Sequence, residues 1–102
     1  MPRRGEVWMI DFGMAQKVRP ALILSRECND EDRLLITVVA HTTSLRGSTF
    51  EIPVQVPFLK QGAFVVQSVA TLPTKQAIRL LGTLSSLQMQ PVENGIRQWL
   101  QL

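Results

Sequence analysis

The sequence predicts one domain over residues 1–102, a mostly β fold: a small, strongly curved β barrel of five to seven strands with a C-terminal helix. Three observations carry this expectation. Stretches rich in branched and aromatic residues alternate with a period of two from Glu6 onward. Turn residues interrupt them at short intervals. Near the C-terminus the period changes to three and four, at Leu87, Val92, Ile96, Trp99 and Leu100, which share one helical face.

The elements follow in order. Glu6 to Phe12 reads as a strand with Trp8, Ile10 and Phe12 on one face. Gly13 opens a short turn ending near Gln16. Val18 to Ser25 is a second strand; Arg19, Ala21, Ile23 and Ser25 point one way, Pro20, Leu22 and Leu24 the other. Asn29-Asp30 supplies turn chemistry, since both side chains can bond nearby backbone. Leu34 to His41 is almost continuously apolar, as a strand buried on both faces would be. Thr42 to Gly47 is a polar loop with a glycine turn. Ser48 to Val56 alternates, with Phe50, Ile52, Val54 and Val56 inward; Pro53 cannot donate to a ladder and marks an edge or bulge. Phe64 to Val69 is a fifth strand, followed by a helical turn near Thr74–Ala77 and a brief strand near Arg79–Leu81. Ser85-Ser86-Leu87-Gln88 resembles a capping box, yet Pro91 would then lie inside the helix. A helix over about 88–101 would put Pro91 in its tolerated first turn, with Gly95 a further weak point.

Charge and composition exclude several classes. The chain holds 11 Lys and Arg against 8 Asp and Glu, a net +3. Four of the acids, Glu27, Asp30, Glu31 and Asp32, form one loop, and outside it the chain carries +7. A basic surface of this kind suits a polyanionic partner. With 45% hydrophobic residues the chain can fill a core, so disorder is not expected. No apolar run reaches the roughly 18 residues of a membrane helix, and no apolar segment follows the first residues as a secretory signal would. A cytoplasmic protein is expected. One Cys and one His exclude an internal disulfide and a Cys/His zinc site, so neither metal nor cofactor is expected. There is no glycine-rich phosphate loop and no nucleophile elbow. Cys28 lies among four carboxylates, a poor setting for a thiolate nucleophile.

The positive signals are three. In Lys17-Val18-Arg19-Pro20-Ala21, Pro20 holds Arg19 extended at the start of a strand, where its guanidinium offers a rigid fork to a phosphate or pairs with Asp11 or Glu6. Ala40-His41-Thr42-Thr43-Ser44 ends the most apolar strand in hydroxyls, which can bind phosphate oxygens and base edges or simply terminate the strand. Gln67-Ser68 breaks an apolar strand, facing either solvent or a groove.

Taken in order, Arg4-Gly5-Glu6-Val7-Trp8, Asp11-Phe12, Val18-Arg19-Pro20-Ala21-Leu22-Ile23-Leu24-Ser25, Val39-Ala40-His41-Thr42-Thr43-Ser44, Arg46-Gly47, Phe50-Glu51-Ile52 and Arg79-Leu80-Leu81-Gly82-Thr83-Leu84-Ser85 resemble the MazF/PemK family of toxin endoribonucleases. The resemblance spans nearly the whole chain. It implies a barrel related to SH3 barrels, a homodimer, metal-independent cleavage of single-stranded RNA such as mRNA to 2′,3′-cyclic phosphate and 5′-hydroxyl ends, and a cognate acidic antitoxin. It assigns the catalytic roles to Arg19 and Thr42. Lys17, Ser25, His41, Thr43, Ser44, Arg46 and Gln67 are the candidate RNA-binding residues around them. His41 is the only side chain titrating near neutrality, but alternation places it on the face opposite Thr42. Two departures stand out: Gly13-Met14-Ala15-Gln16 is shorter than the family's loop, and Val66 stands before Gln67 where members often carry Asp.

Two other functions fit the same chain. The gyrase-poisoning toxins share the architecture and contact their target through a Trp on the C-terminal helix, which Trp99 could match. A non-catalytic RNA-binding module would bind without cleaving.

Overall fold

The computed structural model describes residues 1–13 and 17–102; most of the expected Gly13–Gln16 turn lies outside them. Among the described residues seven strands precede one helix: β1 (Glu6–Asp11), β2 (Val18–Ile23), β3 (Leu35–Thr42), β4 (Glu51–Ile52), β5 (Ala63–Val65), β6 (Ala70–Pro73), β7 (Ala77–Thr83) and α1 (Ser86–Leu100). All pairings are antiparallel, in the order β4-β5-β3-β2-β1-β7. On its side away from β2, β3 pairs with β6 along Leu35–Val38 and with β5 along His41–Thr42. One strand thus serves two neighbours, which bends the sheet towards a barrel.

Period-two alternation divides the core. Val7, Leu22, Val39 and Phe64 face α1, which closes over them through Met89 and Val92. Ile10, Ala21, Ile23, Ile36 and Val38 form a second cluster on the other face. Most of these side chains are fully enclosed, and each of those larger than Ala21 contributes about 1.5–3 kcal/mol by burial.

Three strand expectations need correction, and one strand was not expected. The second strand stops at Ile23, because the Ser25 hydroxyl rather than backbone accepts the Thr37 N–H, at 2.9 Å. The fourth shrinks to Glu51–Ile52, since the Glu51 and Ser48 side chains take the N–H groups of residues 46–48 and 50, and Pro53 has none. Its inward side chains still reach the core. The fifth strand ends at Val65 and continues as a 3-10 turn over Val66–Ser68. The short β6, with Pro73 at its end, has too weak an alternation to have been read from sequence.

The helix begins at Ser86, two residues before the expected start, because the capping box forms: Ser85 Oγ accepts the Gln88 N–H at 3.2 Å and Gln88 Oε1 accepts the Ser85 N–H at 2.8 Å. Pro91 therefore sits inside it. Pro91 removes the partner of the Leu87 carbonyl, and Leu87 is 76% exposed, so water can serve that oxygen. Leu87 is consequently not on the buried face; Met89, Val92 and Gly95 are. Gly95 is needed for close approach, since a Cβ there would lie 3.2 Å from both Ile52 Cδ1 and Val66 Cγ1. Among the described residues no helix is long and apolar enough to cross a membrane.

Candidate nucleic-acid interface

The β2–β3 ladder runs Ile23↔Val38, Leu22↔Val39, Ala21↔Ala40 and ends beside Pro20, which has no N–H to give. The same register carried two residues further sets Arg19 opposite Thr42. Arg19 is held from the other side by its pairing with Ile10, and Thr42 by its pairing with Ala63. Both side chains line an open cavity of about 680 Å³, together with Ser44, Arg46, Gln67 and Glu51.

The loop after β3 is shaped by two side chains. Thr42 Oγ1 accepts the Ser44 N–H at 3.0 Å, an ordinary short turn, while among the described residues its own proton has only the distant Ser44 carbonyl at 3.5 Å. That proton is available to an oxyanion. Glu51 accepts the backbone N–H groups of Arg46, Gly47 and Ser48 at 2.8 to 3.1 Å. These bonds, that from Arg46 first, lower its pKa from 4.5. Gly47 adopts a φ of 83°, the left-handed conformation the loop requires. Across the cavity, Ser68 Oγ accepts the Ala40 N–H at 2.9 Å and donates to Val65 O at 2.6 Å. It fills the gap in β3 between its β6 and β5 partners and turns the chain so that Gln67 is exposed on the cavity wall.

The family model for PemK-like, MazF-like toxins of type II toxin-antitoxin systems matches residues 3–100. The chain belongs to this toxin family. Solved structures of toxins and endoribonucleases superpose over 95 to 100% of it. The Mycobacterium tuberculosis toxin MazF-mt6 is 29% identical, with 95% of this chain and 97% of that one covered and a TM-score of 0.79. An endoribonuclease from a mycobacterial species, in complex with its cognate antitoxin, is 22% identical, with 100% and 97% covered and a TM-score of 0.84. MazF from Deinococcus radiodurans is 20% identical, with 99% and 97% covered and a TM-score of 0.84. The last two likenesses concern the fold. None of the curated proteins matches the chain.

In this MazF-like toxin the sequence candidates separate into three groups. Arg19, Thr42, Ser44, Arg46 and Gln67 meet at the first cavity. His41 and Thr43 line a second, on the other side of the same strand ends. Lys17 and Ser25 line neither. Lys17 lies in the turn between β1 and β2 with a φ of 59°, its N–H donated to the Gly13 carbonyl. Ser25 is beyond the opposite end of β2 and is engaged with Thr37.

His41 points away from Thr42, as alternation requires. It is 4% exposed, its ring stands edge-on to Phe64 at 5.1 Å, and burial lowers its pKa. Its Nε2 has no hydrogen-bond partner among the described residues. Gly62 makes this possible, because a Cβ there would lie 2.8 Å from His41 Cε1 and 2.1 Å from the Thr42 carbonyl. Trp99 is 40% exposed and stands edge-on to Phe50 at 5.4 Å, so part of its ring serves packing.

Sequence reasoning missed Glu51 and Ser68 as site-shaping residues and Lys60 and Arg79 as basic residues of the second cavity. Glu51 stood in the family-like Phe50-Glu51-Ile52 and as an outward residue of an expected strand, and Ser68 as a polar break, neither with a role in shaping the site.

Proposed function

We propose that this toxin is a metal-independent endoribonuclease that cleaves single-stranded RNA, mRNA included, in the cytoplasm at the end of β2 and β3. The observation that carries the reading is the meeting of Arg19, Thr42, Ser44 and Arg46 at one open cavity. A 2′-hydroxyl attacks the adjacent phosphorus, the P–O5′ bond breaks, and the products are a 2′,3′-cyclic phosphate and a 5′-hydroxyl. The proton of the 2′-hydroxyl passes to solvent water, and the departing 5′ oxygen takes one from solvent.

Arg19 supplies a fixed positive charge and paired donors to the phosphorane as its charge grows. Thr42 offers its nearly free hydroxyl proton to a phosphate oxygen. Ser44, Arg46 and Gln67 bind the strand on either side, Arg46 by charge and Gln67 by an amide suited to a base edge. Among the described residues the cavity's one carboxylate, Glu51, is occupied by three backbone N–H groups, and His41 is buried on the far face. The proposal therefore gives no side chain the role of base and rests on in-line geometry and charge stabilisation. His41 and Thr43 bear on RNA only through the second cavity. Lys17 and Ser25 are kept as outlying contacts, Lys17 through its charge. The active species is a homodimer, and the cognate antitoxin, an acidic protein, neutralises the basic groove.

The test uses an RNA oligonucleotide, EDTA and its counterpart carrying a single 2′-deoxy nucleotide at the mapped cut. Cleavage in EDTA with a cyclic-phosphate end, abolished by the 2′-deoxy substitution, supports the reading. Cleavage of the 2′-deoxy strand, or dependence on added metal, overturns it.

A further inference from the structure

The second cavity lies against the first. Its volume is about 570 Å³, within the range of small-ligand sites. Arg19, Thr42 and Ser44 line both, so the two meet along the strand end. Their walls differ in charge. The first contains Glu51; the second holds Arg19, Lys60 and Arg79 and no carboxylate among its lining residues. Lys60 and Arg79 are exposed and form no ion pair among the described residues. The rest of the wall combines the hydroxyl residues Thr42, Thr43 and Ser44 with apolar side chains, among them Phe58 from the β4–β5 connection and Leu81 from β7.

Cations over an apolar floor suit an anion carrying a flat apolar body, which describes a nucleotide. A protein partner's acidic side chain would use the cations and leave the apolar floor idle. A strand crossing the shared wall at Arg19 and Thr42 would set neighbouring nucleotides in the two cavities.

We infer that the second cavity is a nucleotide subsite for the RNA strand, taking the nucleotide next to the cleaved bond, with its far phosphate held by Lys60 and Arg79 and its base against Phe58. This rests on the ribonuclease reading above and adds to it the path of the strand. Lys60 lies in the β4–β5 connection and Arg79 on β7, so the subsite is assembled from elements distant in sequence. No local motif could have announced it.

The experiment pairs the toxin with its Lys60→Ala/Arg79→Ala variant, both positions being exposed. Binding is measured with a single-stranded RNA blocked by 2′-deoxy at the cut. A neutral methylphosphonate then replaces each phosphate in turn on both sides of that nucleotide. The expected result is one position, adjacent to the cut, where the neutral linkage weakens wild-type binding about tenfold and leaves the variant unchanged. The variant should also show a shallower salt dependence, by about 0.7 in the slope for the one lost phosphate contact on a single strand. Equal loss in both proteins at every position, or an unchanged salt slope, overturns the subsite while leaving the ribonuclease reading intact. If the wild type neither cuts nor binds RNA, both fall. If the variant loses binding to an Asp- and Glu-rich peptide but handles RNA normally, the surface belongs to a protein partner and the inference fails.

Discussion

Both carboxylate oxygens of Glu51 accept the backbone N–H of Arg46, at 3.1 and 2.9 Å. With Gly47 and Ser48 added, this one side chain folds the loop that carries Ser44 and Arg46 into the first cavity. Glu51→Ala should leave the barrel folded and lower kcat/KM by tenfold to about a hundredfold, the order expected when site groups are slightly misplaced. Single-turnover kinetics beside a far-ultraviolet dichroism spectrum would check it.

The depressed Glu51 carboxyl makes this loop sensitive to acid. A group whose folded pKa lies below its unfolded value stabilises the fold above the unfolded value, and that contribution is lost as pH falls through the folded one. The Glu51 contribution should thus be full above about pH 4.5 and decline below it. Urea midpoints taken from pH 7 to pH 3 should fall more steeply for the wild type than for Glu51→Gln in the acid range.

His41 behaves in the same direction at higher pH. Burial lowers its pKa from 6.5, so the neutral ring is the one the fold accepts. Its contribution is full above pH 6.5 and is lost as pH drops through the folded value. Replacing it by Gln should remove that part of the stability-against-pH curve; an unchanged curve between pH 7 and pH 5 would show that the ring is not confined as described.

Ser68 joins two segments that the sheet alone leaves apart. Ser68→Ala removes the acceptor of the Ala40 N–H, in a residue only 7% exposed. The unpaired donor should cost about 1–3 kcal/mol. Denaturant unfolding of the two proteins measures the difference directly.

The sequence was most legible where local chemistry decided the structure. Val7, Leu22 and Val39 alternate with Ala21, Ile23 and Val38 as a two-faced sheet must, and that pattern also placed His41 on the far side of Thr42. Pro20 and the hydroxyls after His41 marked the strand end where Arg19 and Thr42 meet. What stayed hidden depends on side chains that replace backbone partners. Glu51 and Ser48 dissolve most of an expected strand, and Ser68 converts another into a 3-10 turn. Neither could be read from hydropathy, because alternation of burial survives while the ladder does not. The early start of α1 was a contest between two legible signals, the Ser85–Gln88 box and Pro91, and the exposed position of Leu87 lets the box prevail. Lys60 and Arg79 were illegible because only the barrel brings them together.

The most direct measurement is end-mapped cleavage of a long single-stranded RNA by the toxin and its Arg19→Ala and Arg19→Lys variants. Arg19 is exposed, so folding stability should change by no more than about 0.5 kcal/mol in either. Discrete cuts by the wild type, reduced at least about a thousandfold by Arg19→Ala and only partly restored by Lys, are the expected result. Cleavage at the wild-type rate by a folded Arg19→Ala protein would contradict the assignment of the site to this strand end.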